Sequence, residues 1–115
     1  MPAPARVADL TYWSGGVGLD EREFMLEHRA EYNLHLKFAA AGGAYLARVT
    51  VAIEDDTGHR VLSTVADGPW FFAKLPKGKY KLIVEHDGES QQRMLDLSTR
   101  KIANEVFRWK VAQVN

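Results

Sequence analysis

The sequence predicts a mainly β protein, an antiparallel sandwich of seven short strands with one additional α-helix near the N-terminus. Apolar and polar residues alternate in several short segments, turn residues separate those segments at roughly even spacing, and only residues 20–32 carry helical signals. At 115 residues the chain is long enough for one self-supporting core. We therefore expect an extended or loop segment over 1–18 and a single sandwich domain over 19–115.

Charge and hydropathy exclude several classes of function. The 15 basic residues balance the 15 acidic ones, and no basic run is interleaved with aromatic residues, which argues against nucleic acid as a partner. No segment reaches the roughly 18 apolar residues of a membrane span, so we expect no membrane insertion. The chain contains no cysteine, which leaves its redox compartment open. The Pro- and Ala-containing start, 1–5, is typical of a mature N-terminus from which a signal peptide has been removed.

Residues 1–18 contain several Pro, Gly and Ser residues, which interrupt regular structure, and are predicted to form a loop. Tyr12 and Trp13 are the apolar residues expected to attach this loop to the rest of the protein. The glycine cluster over 14–18 precedes a helix, as phosphate-binding loops do. It lacks the preceding strand and the Lys, Ser or Thr after the glycines that such loops have, and acidic residues at the start of the helix would repel a phosphate. We therefore interpret the cluster as structural.

The helix is predicted over about 20–32. Asp20 is the expected N-cap, Glu23 its capping-box partner, and Leu19 with Phe24 has the spacing of a hydrophobic staple. The apolar stripe of this helix is narrow, so we expect it to pack on one face of a sheet.

Seven strands follow along the chain. We predict them at about 34–38, 46–54, 60–66, 70–72, 80–85, 91–97 and 106–109. In the first of them His35 and Lys37 alternate with apolar residues, which predicts one solvated face. The second and third are joined by a turn at 55–58 and should form a hairpin.

The aromatic strand inside 67–80 is the centre of the predicted core. Alternation places Trp70 and Phe72 on one face, which we assign to the core, and Phe71 on the other. Phe71 is then covered by the helix or exposed.

An exposed Phe71 would join Tyr12, Trp13 and Tyr45 in an aromatic surface suited to a protein or a sugar ring. These four residues are the candidate interaction surface. We favour cover by the helix for Phe71, because the apolar stripe of the helix must pack against something.

The sequence contains no recognisable catalytic or metal-binding motif. The histidines His28, His35, His59 and His86 have neither the i,i+4 nor the His-x-His spacing of common metal sites. No serine lies in a Gly-x-Ser-x-Gly elbow, and the acidic turn at 55–58 lacks the calcium-loop pattern. We therefore expect no catalytic residue, no metal and no cofactor.

The pattern Gly68-x-Trp70-x-Phe72-x-x-Leu75-Pro76-x-Gly78-x-Tyr80 resembles the signature of carboxypeptidase regulatory-like domains, with Trp70 where Phe is usual. The resemblance covers about 45–111 and implies a prealbumin-like (Ig-like) sandwich of seven strands.

The glycine cluster over 14–18 and the motif Asp67-Gly68-Pro69-Trp70-Phe71-Phe72-Ala73-Lys74-Leu75-Pro76 are together similar to those of small proteobacterial proteins that normally carry a signal peptide. That similarity implies a periplasmic location, and these relatives have no assigned catalytic residues.

Two functions of different classes remain open. The first is a non-catalytic periplasmic interaction module that binds a protein partner or a cell-envelope glycan, a reading that rests mainly on fold analogy. The second is a small metal-dependent or hydrolytic enzyme that uses His35, His59 or His86 with Asp67 or Asp87. A structural domain that dimerises edge to edge is a third interpretation, and the oligomeric state stays open.

Overall fold

The computed structural model describes residues 5–7, 10–40, 42, 44–99 and 101–110. Residues 1–4, which suggested a processed N-terminus, lie outside this range. The described residues form nine strands, one α-helix and one 3₁₀-helical turn. In chain order they are β1 Ala5–Val7, β2 Leu10–Gly15, α1 Leu19–Glu27, the 3₁₀ turn Arg29–Glu31, β3 Leu34–Ala40, β4 Thr50–Asp55, β5 Arg60–Val65, β6 Trp70–Lys74, β7 Lys79–His86, β8 Glu89–Asp96 and β9 Ala103–Trp109.

The strands form two sheets that pack as a sandwich, which confirms the predicted mainly β architecture. Sheet A has the order β1-β2-β6-β3-β9, and sheet B has the order β5-β4-β7-β8. Strands β4 and β5 pair as the predicted hairpin. Neighbouring strands are antiparallel except for β3 and β9, which pair in parallel over their whole length, so the expectation of a purely antiparallel sandwich was wrong at this position.

The segment predicted as a loop contributes two of the nine strands. The seven strands β3 to β9 correspond to the seven that were predicted, whereas β1 and β2 lie within 1–18. Strand β2 was missed because its two aromatic residues are adjacent: Tyr12 packs on the sandwich core, and Trp13 is buried on the opposite face of the sheet. A strand covered on both faces shows no alternation of apolar and polar residues.

The main core lies between the two sheets. Sheet A contributes Leu36, Phe38 and Phe107, and sheet B contributes Ile53 and Leu82, all of them fully buried. These residues alternate along their strands with residues of the outer faces, as sandwich packing requires. The alternation of β3 therefore placed its apolar residues in the core correctly, but its opposite face is solvated only in part, because Lys37 is exposed and His35 is buried.

A second, smaller core lies on the outer face of sheet A beneath α1. It consists of Trp13, Met25, Tyr32, Trp70 and Phe72, with Phe24 packed against it. The prediction that the helix packs on one face of a sheet agrees with this arrangement.

The assignment of faces in β6 was wrong. Trp70 and Phe72 face α1, and Phe71 points into the sandwich core, where it is completely buried. Phe71 is therefore neither exposed nor covered by the helix, the two positions that were expected. The first four residues of β6 are all buried, so the alternation of this strand could not show which side meets the opposite sheet.

Helix α1 also begins differently from the prediction. Its N-cap is Gly18, which has no capping side chain, and the carboxylate that accepts hydrogen bonds in front of the helix belongs to Glu21. Leu19 is 70% exposed, so the predicted staple with Phe24 does not form. The helix ends at Glu27, and the remainder of the predicted range continues as the 3₁₀ turn. No helix among the described residues is long and apolar enough to cross a membrane.

Candidate functional site

The four predicted surface aromatics are not together on one surface. Trp13 and Phe71 are buried in different cores, and Tyr12 is partly buried with its ring stacked on Phe71 at a centroid distance of 5.7 Å. Tyr45 alone is exposed among them, to 54%. A candidate site must therefore be built around Tyr45 from neighbours that the sequence analysis did not single out.

The glycine cluster and the aromatic strand form one structural unit beside this site. The Ser14 hydroxyl oxygen accepts a hydrogen bond of 3.0 Å from the Asp67 N–H. A Cβ on Gly68 would collide with the carbonyl group of Gly15, and one on Gly16 would lie 2.9 Å from Cγ of Trp70. Gly16 and Gly68 therefore serve close packing, in agreement with the structural interpretation, whereas a Cβ on Gly18 would have no heavy atom within 4 Å.

Two N–H groups of the glycine cluster already have an acceptor within the chain. One carboxylate oxygen of Glu21 accepts hydrogen bonds from the Gly16 N–H at 2.6 Å and from the Val17 N–H at 3.2 Å. A carboxylate in this position satisfies free donors in front of the helix and complements the helix dipole. An external anion would have to displace it.

The backbone places Tyr45 on the outer face of sheet A. The chain after β3 turns back, so that Tyr45 pairs with Ala39 in an isolated antiparallel bridge. Two hydrogen bonds fix this return: the Ala40 N–H donates to the Ala44 carbonyl oxygen at 2.7 Å, and the Leu46 N–H donates to the Phe38 carbonyl oxygen at 3.2 Å. Residues paired across strands share a face, so Tyr45 stands on the same side of the sheet as Ala39.

Two basic side chains, Arg22 and Lys37, contact the aromatic rings of the site. The guanidinium carbon of Arg22 lies 4.2 Å from the centroid of the Tyr45 ring and 5.8 Å from that of Trp70, while Lys37 Nζ lies 5.0 Å from the Trp70 ring. The Nε–H of Arg22 also donates to the Gly16 carbonyl oxygen at 2.6 Å. Cation–π contacts of this kind contribute about 0.5–1 kcal/mol at exposed positions.

The register of β3 and β9 extends the site across the sheet. Lys37 is paired with Val106 and Ala39 with Arg108, so these residues lie on the face that Tyr45 occupies. We call the set Arg22, Lys37, Ala39, Tyr45, Val106 and Arg108 the cationic patch. Its centre is the small side chain of Ala39, which stands between Tyr45 on one side and Arg108 on the other.

The outer face of sheet A contains no carboxylate at any position that pairing of β2, β3, β6 and β9 places there. Those positions hold Thr11, Trp13, Gly15, Trp70, Phe72, Lys74, His35, Lys37, Ala39, Asn104, Val106 and Arg108. The outer face of sheet B is mixed in charge, because Glu54 and Glu85 occur there with Arg60 and Lys81. The charged strand residues of this face are therefore all basic, although the formal net charge of the chain is zero, and the Glu21 carboxylate of α1 lies beside them at Gly15.

The histidines of the alternative enzyme hypothesis lie on separate elements with different neighbours. The buried His35 ring lies 3.1 Å from Asn104 Oδ1 and 2.9 Å from the Arg29 carbonyl oxygen. His59 belongs to the turn between β4 and β5, and the ring of His86 lies 5.9 Å from that of Trp109. Within the described part of the chain, no three His, Asp or Glu side chains are grouped so that they could hold a metal ion.

A shallow groove of about 300 Å³ lies near the 3₁₀ turn. Its lining includes Glu31, Tyr32, Lys74 and Lys101. Burial, together with the nearby Glu31 carboxylate, raises the pKa of the Tyr32 hydroxyl above its ordinary value. The lining of the groove contains both acidic and basic side chains, so its charge indicates a class of ligand less clearly than the charge of the cationic patch does.

Sequence reasoning missed the basic members of the patch. Lys37 had been placed on a solvated face, but nothing linked it to Arg108, which lies about seventy residues further along the chain. The signal that could have found Arg108 was the alternation of β9, in which every second residue is exposed, including Val106 and Arg108. Compared with protein-family models and with curated proteins, the chain matches none.

Proposed function

We propose that this chain is a non-catalytic binding module of the bacterial periplasm and that the cationic patch binds a component of the cell envelope. The observation that carries the proposal is Tyr45, a large ring left 54% exposed and held by the guanidinium of Arg22 on a face whose strand positions hold no carboxylate. Exposed aromatic and basic groups together are characteristic of binding surfaces.

The likeness to carboxypeptidase regulatory-like domains is part of the same proposal. Residues of that motif have structural roles here: Leu75 is buried in the core, and the Tyr80 hydroxyl donates to the Pro76 carbonyl oxygen at 2.6 Å. These roles support a prealbumin-like sandwich, and the periplasmic location follows from the resemblance alone. The enzyme alternative stays a hypothesis that no grouping of the described histidines favours.

The proposal can be tested by comparing Tyr45→Ala with Met94→Ala. Both residues are exposed, Tyr45 to 54% and Met94 to 70%, but Met94 lies on the outer face of sheet B. Immobilised protein would be incubated with fractionated periplasm and with defined envelope glycans. We expect a ligand that the unmodified chain and Met94→Ala retain and that Tyr45→Ala loses. Equal retention by all three proteins would show that the patch is not the binding surface.

A further inference from the structure

We infer that the ligand of the cationic patch is an acidic saccharide, in which the sugar ring stacks on Tyr45 and its carboxylate is bound by Lys37 and Arg108. This inference rests on the proposed function and specifies the ligand class. Three features carry it: the charge of the face, the geometry of the ring, and the small apolar area around the ring.

Charge complementarity requires an anion. Arg22, Lys37 and Arg108 lie on or over the outer face of sheet A, whose strand positions hold no carboxylate, and the Glu21 carboxylate of α1 lies beside Gly15 at the start of the helix. Lys37 and Arg108 occupy diagonal positions on neighbouring strands, since Lys37 pairs with Val106, two residues before Arg108. Diagonal side chains of a sheet lie about 7–8 Å apart, a distance that one carboxylate between two long basic side chains can bridge.

Among the described residues, the Glu21 carboxylate of α1 forms no ion pair with a basic residue of the patch. Glu21 accepts hydrogen bonds from the N–H groups of Gly16 and Val17, which hold it at the start of the helix. The guanidinium of Arg22 is held between the Gly16 carbonyl oxygen and the Tyr45 ring. The Arg22 side chain, and with it the Tyr45 ring that it contacts, is therefore positioned before a ligand arrives, which lowers the entropic cost of stacking on that ring.

The geometry of Tyr45 suits a sugar ring. Arg22 covers one face of the aromatic ring, and Tyr45 is still 54% exposed. The negative face of an aromatic ring attracts the polarised C–H groups that line one side of a pyranose. Beside Tyr45, the small side chain of Ala39 leaves room on the sheet for the substituents of that ring.

The patch is poorly suited to a folded protein. A stable protein interface buries about 800 Å² on each partner and has an apolar centre. Here Tyr45 and Val106 are the exposed large apolar residues of the patch, at 54% and 44%. One ring and a few polar contacts are sufficient for a saccharide, and they are insufficient for such an interface.

Addition of a peptide strand at the neighbouring edge is also obstructed. Strand β9 is the last strand of sheet A, and the Gln91 side chain donates to the Arg108 carbonyl oxygen at 2.7 Å. The indole N–H of Trp109 donates to the Glu89 carbonyl oxygen at 2.9 Å, which ties this edge to β8. The Gln91 side chain therefore occupies the edge position at Arg108 that an added strand would need.

The test is to titrate the full chain with each of four probes and to monitor binding by NMR chemical shifts and by calorimetry. The probes are tetragalacturonate, its neutral methyl ester, a muramic-acid-containing disaccharide and poly-L-glutamate. We expect at least one of the two acidic saccharides to bind with shifts at the patch, and the methyl ester to bind at least about tenfold more weakly, because the basic groups then lack an anionic partner. Raising the salt concentration should weaken binding, since exposed charges are screened within about 10 Å at 0.1 M.

Variants then locate the site. Tyr45→Ala should weaken binding about tenfold or more, as loss of a stacked ring does elsewhere. Lys37→Gln and Arg108→Gln should each weaken it about two- to fivefold, as expected for exposed ion pairs. Lys81→Gln and Met94→Ala, which alter the outer face of sheet B, should leave it unchanged.

The outcomes separate this inference from the proposed function. Equal patch-dependent binding of the acidic sugar and its neutral ester would overturn the requirement for an acid and leave the binding module intact. Tighter patch-dependent binding of poly-L-glutamate would identify a polypeptide ligand and also overturn the inference. Failure of both acidic saccharides to bind, while an envelope ligand is still retained through Tyr45, would overturn the inference alone. Loss of all patch-dependent binding would remove both proposals.

Discussion

Gly15 and Gly68 lie backbone against backbone, with the peptide group of Gly15 filling the space that a Cβ on residue 68 would occupy. This contact joins the end of β2 to the turn that leads into β6. It also brings Gly16 against the Trp70 ring, on which Arg22 and Lys37 are placed. Two glycine-containing motifs that lie far apart in the sequence therefore pack against each other next to the cationic patch.

Gly68→Ala should destabilise the fold by about 1–3 kcal/mol or more, because the obstructing atoms belong to the backbone and cannot rotate away. The measurement is urea unfolding followed by Trp fluorescence. Gly42→Ala is the matched control, since a Cβ at that position has no heavy atom within 4 Å. Equal stability of the two variants would show that the chains do not approach each other as described.

Phe71→Ala should destabilise the protein by about 3–5 kcal/mol, the usual cost of removing a fully buried phenylalanine. Tyr45→Ala should cost about 1 kcal/mol or less, because it loses only an exposed cation–π contact. Thermal unfolding of the two variants measures this difference directly. A small effect at Phe71 would contradict its placement between the two sheets.

Glu21→Ala should destabilise α1 by about 1–2 kcal/mol, because the N–H groups of Gly16 and Val17 would lose their acceptor. Glu23→Ala, which removes the residue that the sequence suggested as capping partner, should change stability by about 0.5 kcal/mol or less. The unfolding free energies of both variants, measured in the same buffer, show which of the two glutamates stabilises the start of the helix. The reverse ranking would restore the capping box that was predicted.

Asp55 makes the β4–β5 turn sensitive to acid. Its carboxylate accepts hydrogen bonds from the Thr57 hydroxyl at 2.7 Å and from the His59 N–H at 2.9 Å. The Thr57 hydroxyl contributes most to lowering the pKa of Asp55 below its ordinary value. Because the pKa is lower in the folded state, the stabilisation is complete above the unfolded-state pKa of about 3.9 and is lost as the pH falls through the folded-state value.

The unfolding free energies of the unmodified chain and of Asp55→Asn should therefore differ more at pH 7 than at pH 2. Asp56→Asn reports the effect of removing an exposed charge from the same turn. A difference between Asp55→Asn and the unmodified chain that does not change with pH would contradict this role for the carboxylate.

Much of the sandwich could be predicted because its signals are local. The β4–β5 hairpin follows from the turn at 55–58, and the β7–β8 turn has Asp87 at φ +51 and Gly88 at φ +83, values that these residue types tolerate. Leu36 was identifiable as a core residue because its neighbours His35 and Lys37 carry polar side chains.

The sequence by itself determined where seven strands lie, where the chain turns, and that one helix must cover part of a sheet. Only the tertiary structure decided which face of β6 meets the opposite sheet, because Phe71 and Phe72 are both buried and alternation cannot rank two apolar faces. It also decided the pairing of Tyr45 with Ala39 and of Ala39 with Arg108, which assembles the cationic patch. Such pairings join residues far apart in the chain, and their energy comes from packing between elements, which no local pattern encodes.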